Sequence, residues 1–77
     1  MAFKVHVVDS KDRPVAHVGV TLSFSGIFRG HSSEEFTDSD GIAYFSGYED
    51  GPVDIYVRGK KRDSAYYRDG GSVTVQV

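Results

Sequence analysis

Acidic side chains in one short turn have the types and spacing that a metal ion could use. Residues 38–41 read Asp-Ser-Asp-Gly, which is similar to the start of a calcium-binding loop. A calcium ion takes about six to eight oxygen ligands, and residues 42–45 supply no carboxylate. Asp9 and Asp12 would come close if the first and third loops share one end of the fold. Because Asp and Gly are also the usual residues of turns, we interpret this segment chiefly as a turn.

Histidine and serine side chains lack the spacing that catalysis or metal binding needs. His6, His17 and His31 lie in different segments, so no zinc motif is formed, and we expect them to face solvent. Nine serines occur, but none stands in a Gly-x-Ser-x-Gly elbow. The absence of cysteine excludes disulfides, thiol catalysis, iron–sulfur clusters and cysteine zinc sites. We therefore expect no cofactor, no metal and no enzymatic activity.

The charge balance argues against a nucleic-acid partner. Nine Lys and Arg oppose eleven Asp and Glu, and the net charge is −2. Nucleic-acid binders usually carry a basic excess, because neutralising phosphates drives their affinity. One basic run, Arg-Gly-Lys-Lys-Arg at residues 58–62, is expected in the fifth loop, at the same end as the acidic turns. Charge compensation there is the simplest interpretation, and docking of an anion or nucleic acid is the alternative.

Aromatic and aliphatic side chains at outward positions are the candidates for binding. Tyr44 and Tyr56 fall on outward positions of two strands that we expect to be joined as a hairpin, and Ile42 shares their face. A cross-strand aromatic pair stabilises a sheet by about 0.2–1 kcal/mol. An exposed tyrosine patch also suits contact with a protein or a sugar. Ile27 and Phe28, at the tip of a loop bracketed by glycines, either cover the core or contact a partner.

Short β-strands are the elements that would position these side chains. Eleven Val, three Ile and ten Phe or Tyr stand against one Leu, four Ala and one Met, which favours sheet over helix. Apolar and polar residues alternate, as they do in half-buried strands. The pattern predicts one all-β domain over residues 1–77, an antiparallel β-sandwich of about seven strands. The predicted strands are 3–7, 16–24, 31–37, 42–46, 53–58, 64–68 and 72–77.

The connections between these strands carry recognisable turn residues. Residues 59–62 and 69–71 are predicted as turns, the second as a tight hairpin turn. The strand over 31–37 is polar and holds Glu34 and Glu35, so we expect it at a sheet edge. No run of about 18 apolar residues occurs, so no membrane span is predicted. The first residues lack the basic and apolar regions of a signal peptide, although the chain could be part of a longer protein.

Two stretches together resemble a known family of β-sandwich domains. They are Val7-Val8-Asp9 with Pro14-Val15 and Gly19-Val20, and Thr37-Asp38-Ser39-Asp40-Gly41 with Gly51-Pro52-Val53. This pattern resembles the carboxypeptidase regulatory-like, or prealbumin-like (transthyretin-like), family and covers about residues 5–57. The family usually has Gly in the first turn, where this chain has Asp12-Arg13. The resemblance implies a seven-stranded sandwich that stabilises, spaces or docks other domains.

More specialised relatives of that family make two further predictions. Adhesin-type sandwiches of this kind form an isopeptide bond between a first-strand Lys, here Lys4, and a last-strand Asn. This chain has no Asn, and its last strand has no Asp, which excludes that bond in its usual form. The stretch from His6 to Ser10 and the pairs Tyr67-Arg68 and Gly71-Ser72 are similar to motifs of hydroxyisourate hydrolase. That resemblance implies a small hydrolase using His6 and Arg68.

The sequence therefore favours a non-enzymatic accessory or interaction module of prealbumin-like or immunoglobulin-like type. It would dock a protein or a surface through one of two sets of side chains. These are the outward face with Ile42, Tyr44 and Tyr56, and the loop tip with Ile27 and Phe28. The alternatives are the small hydrolase and a calcium-stabilised extracellular module.

Overall fold

The computed structural model describes residues 2–24 and 30–77, and within them the fold is all-β. Eight strands are present in this part of the chain, and none of its residues forms a helix that could span a membrane. The strands are β1 (Phe3–Val8), β2 (Gly19–Phe24), β3 (Gly30–His31), β4 (Glu35–Phe36), β5 (Ile42–Phe45), β6 (Gly51–Val57), β7 (Lys60–Tyr67) and β8 (Ser72–Gln76). The predicted all-β class is confirmed, whereas the predicted count of seven is not.

Two sheets enclose the core, as in a β-sandwich. A three-stranded sheet has the order β5-β1-β8. A five-stranded sheet has the order β3-β2-β6-β7, and β4 also pairs with β2. The inner faces of both sheets are apolar, and packing the two sheets together removes these faces from water.

The predicted alternation of inward residues is confirmed along most strands. Val5 and Val7 on β1 and Ile55 on β6 have no exposed surface. Tyr67 on β7 is the largest fully buried side chain, and its ring lies 5.0 Å from that of Phe3. The buried apolar residues that form the core cluster are Phe3, Val5, Val7, Val18, Val20, Leu22, Ala43, Phe45, Val53, Ile55, Val57, Tyr67 and Val75.

The last strand does not follow the predicted antiparallel arrangement. β8 pairs with β1 in parallel, with Val5 opposite Val73 and Val7 opposite Val75. Residues 69–71 do form a tight turn, closed by a 2.9 Å bond from the Gly71 amide to the Arg68 carbonyl. The strands on either side of that turn lie in different sheets, so the predicted hairpin is wrong. The turn carries the chain from the five-stranded sheet to the three-stranded one.

The basic run lies mainly on a strand rather than in the predicted turn. The β6–β7 turn consists of Arg58 and Gly59, with φ angles of 54° and 79°, and Val57 pairs with Lys60. A two-residue turn with both φ angles positive matches the twist of a hairpin. β7 therefore begins at Lys60. A bulge between Ile55 and Tyr56 shifts the register beside the basic residues.

The segment predicted as one edge strand over 31–37 is split into β3 and β4, and both pair with β2. Two buried hydroxyls hold the segment against β2. The Ser32 hydroxyl accepts the Leu22 amide at 2.9 Å, and the Thr37 hydroxyl accepts the Val18 amide at 3.1 Å. Ser32 and Thr37 are the buried polar residues of the described chain. The edge position is confirmed, but the edge is built from side-chain as well as backbone hydrogen bonds.

Candidate docking surface

The outer face of the three-stranded sheet carries two of the predicted binding residues. Tyr44 lies opposite Lys4 and Ile42 lies opposite His6, so all four side chains point away from the core. Tyr44 is exposed, whereas Ile42 and His6 are half-buried. This face therefore offers one exposed tyrosine with polar and basic neighbours.

The Tyr44 side chain lies close to the acidic turn. Partial desolvation of the hydroxyl, followed by the negative charge of Asp38, raises the pKa of Tyr44 above its ordinary value of 10.0. Hydrogen bonding from the Ile42 amide, and then from the Asp40 amide, lowers the pKa of Asp38 despite partial desolvation. Tyr44 therefore interacts with Asp38 of the turn, so its hydroxyl is less available to contact a partner.

Tyr56 lies on the outer face of the other sheet, where it pairs with Thr21 on one side and Lys61 on the other. The predicted pairing of Tyr44 with Tyr56 is therefore wrong. The two strands are consecutive along the chain, but β5 joins β1 and β6 joins β2. Tyr44 and Tyr56 consequently point away from each other, on opposite sides of the molecule.

Two further aromatic side chains share the outer face of the five-stranded sheet with Tyr56. Phe36 is 63% exposed and lies opposite Gly19, and Tyr66 is 60% exposed and lies opposite Pro52. Neither residue is predicted from the sequence. The segment that holds Phe36 is marked chiefly by the charges of Glu34 and Glu35. The signal for Tyr66 was available, because the residue next to an inward tyrosine on a strand must point outward.

Phe36, Tyr56 and Tyr66 are spread across this face rather than stacked in one place. Phe36 lies level with Arg58, just beyond the end of β6, and Tyr66 lies level with Pro52 near its start, so they are about 20 Å apart along the strand direction. Tyr56 lies between these two positions and is half-buried. We call these three residues the aromatic face.

Polar side chains fill the space between the three rings. Thr21 and Ser23 on β2 and Ser64 on β7 point to the same side, as the strand register requires. Lys61 and Asp54 form an ion pair at 3.4 Å on this face. Both partners are more than one third exposed, so the pair contributes little to stability. The surface thus combines aromatic area with hydroxyls and both signs of charge.

The acidic turns use their carboxylates to hold the backbone. The Asp38 carboxylate accepts the amides of Asp40 and Ile42 at 2.9 and 3.1 Å. The Asp9 carboxylate accepts the amides of Lys11 and Arg13 at 2.8 and 3.0 Å. The described residues contain no group of three or more His, Cys, Asp or Glu that could hold a metal ion. This geometry supports the turn interpretation over the calcium alternative.

Glycine at position 41 fixes the acidic turn against the first loop. Gly41 has a φ of 77°, and an added Cβ would lie 2.8 Å from the Val7 carbonyl and 3.0 Å from Pro14. The Val7 amide donates to the Gly41 carbonyl at 2.7 Å. The two acidic loops therefore do lie at the same end of the sandwich, as expected, but backbone contacts join them.

The residues of the hydrolase alternative do not share the depression that adjoins Arg68. A shallow depression beside Arg68 is lined by Tyr66, Gly70, Gly71 and Ser72, and His6 is not among its lining residues. His6 lies opposite Ile42 and Thr74 on the outer face of the three-stranded sheet. This arrangement does not favour the hydrolase alternative.

Ile27 and Phe28 lie outside the described residues, so the second predicted docking point stays a prediction. The basic run is exposed along β7, and Lys61 has its ion-pair partner on the neighbouring strand β6 rather than in the acidic loops.

No family model matches this chain, and no curated protein matches it.

Proposed function

We propose that this chain is a non-enzymatic interaction module that docks a protein partner through the aromatic face. The observation that carries the proposal is the placement of Phe36 and Tyr66. Each is at least 60% exposed, and both lie on one side of one sheet. Single exposed apolar residues are ordinary on protein surfaces, so support for the proposal comes from two such rings on one sheet face with Tyr56 between them.

The surroundings of the three rings favour a protein as the partner. Aromatic side chains are enriched at protein interfaces, which are rimmed by polar groups that form hydrogen bonds. Thr21, Ser23 and Ser64 supply such groups, and the Lys61–Asp54 pair contributes both charges. A nucleic acid would instead require a basic excess, and the chain is net acidic. A sugar surface is the competing partner, because tyrosines also stack on sugars.

The finer fold type is part of this proposal. We infer a sandwich of prealbumin-like or immunoglobulin-like type, as the resemblance implies. The two segments that carry the resemblance both contact β1, since Val8 bridges Pro14 and Val7 binds Gly41. An accessory role follows from the same resemblance. A rigid small sandwich would present the aromatic face to a neighbouring chain or domain.

A matched set of serine variants tests the docking surface. The double variant Phe36→Ser, Tyr66→Ser removes the most exposed rings of the aromatic face, and Tyr44→Ser removes an exposed ring from the opposite sheet. Proteins captured from the source cells would be compared by quantitative mass spectrometry. Thermal unfolding would first establish that all variants fold.

We expect partners bound by the wild-type chain to be retained by Tyr44→Ser and lost by the double variant. Retention of every partner by the folded double variant would refute the aromatic face as the docking surface. Release of the captured partners by soluble glycans would assign the surface to sugar binding instead.

A further inference from the structure

β8 is an open edge of the three-stranded sheet. The Gly71 carbonyl accepts the Lys4 amide and the Val77 amide donates to the Val8 carbonyl, so odd-numbered residues of this segment bond to β1. Strand geometry then directs the amides and carbonyls of Ser72, Thr74 and Gln76 away from β1. Among the described strands, β8 pairs with β1 alone. An extended strand could therefore add to this side by backbone hydrogen bonds.

The other sheet edges have features that discourage such pairing. β7 begins with Lys60, Lys61 and Arg62, and charges of this kind protect an edge. The outer side of β2 is occupied by the short strands β3 and β4. β5 is four residues long, and its Ile42 carbonyl already accepts the Asp38 amide at 3.0 Å. β8 lacks all of these features, because its sequence Ser-Val-Thr-Val-Gln holds no charge, proline or glycine.

The residues of β8 are suited to pairing with an identical strand. In an antiparallel pair centred on Thr74, Ser72 of one copy lies opposite Gln76 of the other. Each of these opposed pairs would exchange two backbone hydrogen bonds, because their amides and carbonyls face the open side. Threonine pairs and hydroxyl–amide pairs across strands are favourable, and no like charges meet.

We propose that β8 pairs antiparallel with β8 of a second copy of this chain, which joins the two three-stranded sheets into one. The contact obeys a two-fold axis that passes between the two Thr74 residues, so it closes as a dimer and does not extend into a fibre. A pair of five-residue strands buries less than the roughly 1,600 Å² of a standard interface. The dimer is therefore weak, with a dissociation constant between about 10 µM and about 1 mM.

Sedimentation velocity of the 77-residue chain over this concentration range measures the association directly. Thr74→Pro places a proline ring on the open side of β8 and costs no bond to β1, because the Thr74 amide points outward. Thr74→Lys places two lysines opposite each other at the two-fold axis. Thr74→Val is the matched control, because it keeps the amide, the β-branch and the neutral edge.

We expect the wild-type chain and Thr74→Val to dimerise with similar dissociation constants. Thr74→Lys should raise the dissociation constant at least about tenfold, and added salt should partly restore association. Thr74→Pro should remain monomeric. If Thr74→Pro fails to fold, the comparison of Thr74→Lys with Thr74→Val decides the question.

Amide hydrogen exchange locates the contact within β8. Exchange at Ser72, Thr74 and Gln76 should slow as the protein concentration rises, whereas exchange at Val73 and Val75 should not change. A chain that stays monomeric up to about 1 mM would overturn the proposal. A dimer that survives Thr74→Lys, or that is lost on changing Phe36 and Tyr66 instead, would also overturn it.

Discussion

The sheet edge at β2 and the sheet edge at β8 are finished in opposite ways. At β2 the covering segment is broken into two-residue strands. The buried Ser32 hydroxyl accepts the Leu22 amide of β2, and the buried Thr37 hydroxyl accepts the amide of Val18, just before β2. At β8 a regular strand of β-branched and small polar residues is left with one side open. Side-chain hydroxyls thus complete one edge where backbone pairing is interrupted, and no described strand covers the open side of the other.

The largest predicted loss of stability follows from removing a hydroxyl that holds the segment covering β2. Thr37→Val removes the hydroxyl that accepts the Val18 amide. The same hydroxyl donates to the Val15 carbonyl at 2.7 Å. Orphaning these buried groups should lower the free energy of unfolding by about 2–3 kcal/mol. Urea denaturation followed by circular dichroism measures the change.

Thr37→Ser is the control for this prediction, because it keeps both hydrogen bonds. Loss of its single buried methyl should cost about 1 kcal/mol. A Thr37→Val variant as stable as Thr37→Ser would mean that the hydroxyl does not hold the edge.

A smaller, pH-dependent effect concerns the turn that leads from β4 to β5. The folded-state pKa of Asp38 lies below its ordinary value of 3.8, chiefly because the Ile42 amide bonds to the carboxylate. Because this pKa is lowered, the charged carboxylate stabilises the folded state at pH values above 3.8. This stabilisation is lost as the pH falls through the folded-state pKa. Asp38→Asn should therefore destabilise the protein at neutral pH, and the difference from wild type should shrink in acid.

Urea unfolding of wild type and Asp38→Asn between neutral pH and about pH 2.5 measures this dependence. Asp40→Asn is the control in the same turn, since the two amide bonds go to the Asp38 carboxylate. A gap between wild type and Asp38→Asn that does not narrow in acid would contradict the assignment.

The smallest effect is expected at the charged edge of β7. Lys61→Ser removes an exposed ion pair with Asp54, and the free energy of unfolding should change by at most about 0.5 kcal/mol. The role of such charges is to discourage unwanted pairing rather than to hold the fold. A loss above about 1 kcal/mol in thermal or urea unfolding would assign Lys61 a structural role.

Sequence alternation predicted which residues point inward but could not predict which sheet each strand joins. Val5, Val7 and Ile55 were placed correctly because a strand with one buried face must alternate. Tyr44 and Tyr56 were wrongly paired because consecutive strands were assumed to be neighbours, and β5 and β6 belong to different sheets. The same limit applies to residues 69–71, where the residues of a tight turn do not reveal that the chain changes sheets.

The site was less predictable than the fold. Tyr56 was selected from its outward position, but its neighbours Phe36 and Tyr66 become visible only when the strands are assembled. The basic run lies on β7 rather than in a turn for two reasons. The bulge beside Tyr56 interrupts the alternation of inward and outward residues. The turn consists only of Arg58 and Gly59, although the polar stretch around it is longer. Ser32 and Thr37 gave no signal, since buried and exposed hydroxyls look alike in a sequence.

Burial of Tyr67 gives the protein a built-in optical probe. The chain has no Trp and five Tyr, and Tyr67 is the one among them with almost no exposed surface. Its ring meets Phe24 at 67° and Tyr48 at 89°, with centroid distances of 5.6 and 5.9 Å. Such fixed asymmetric packing produces a near-ultraviolet circular dichroism signal that disappears when tertiary packing is lost. Separation of the two sheets can therefore be followed from tyrosine alone, without an introduced label.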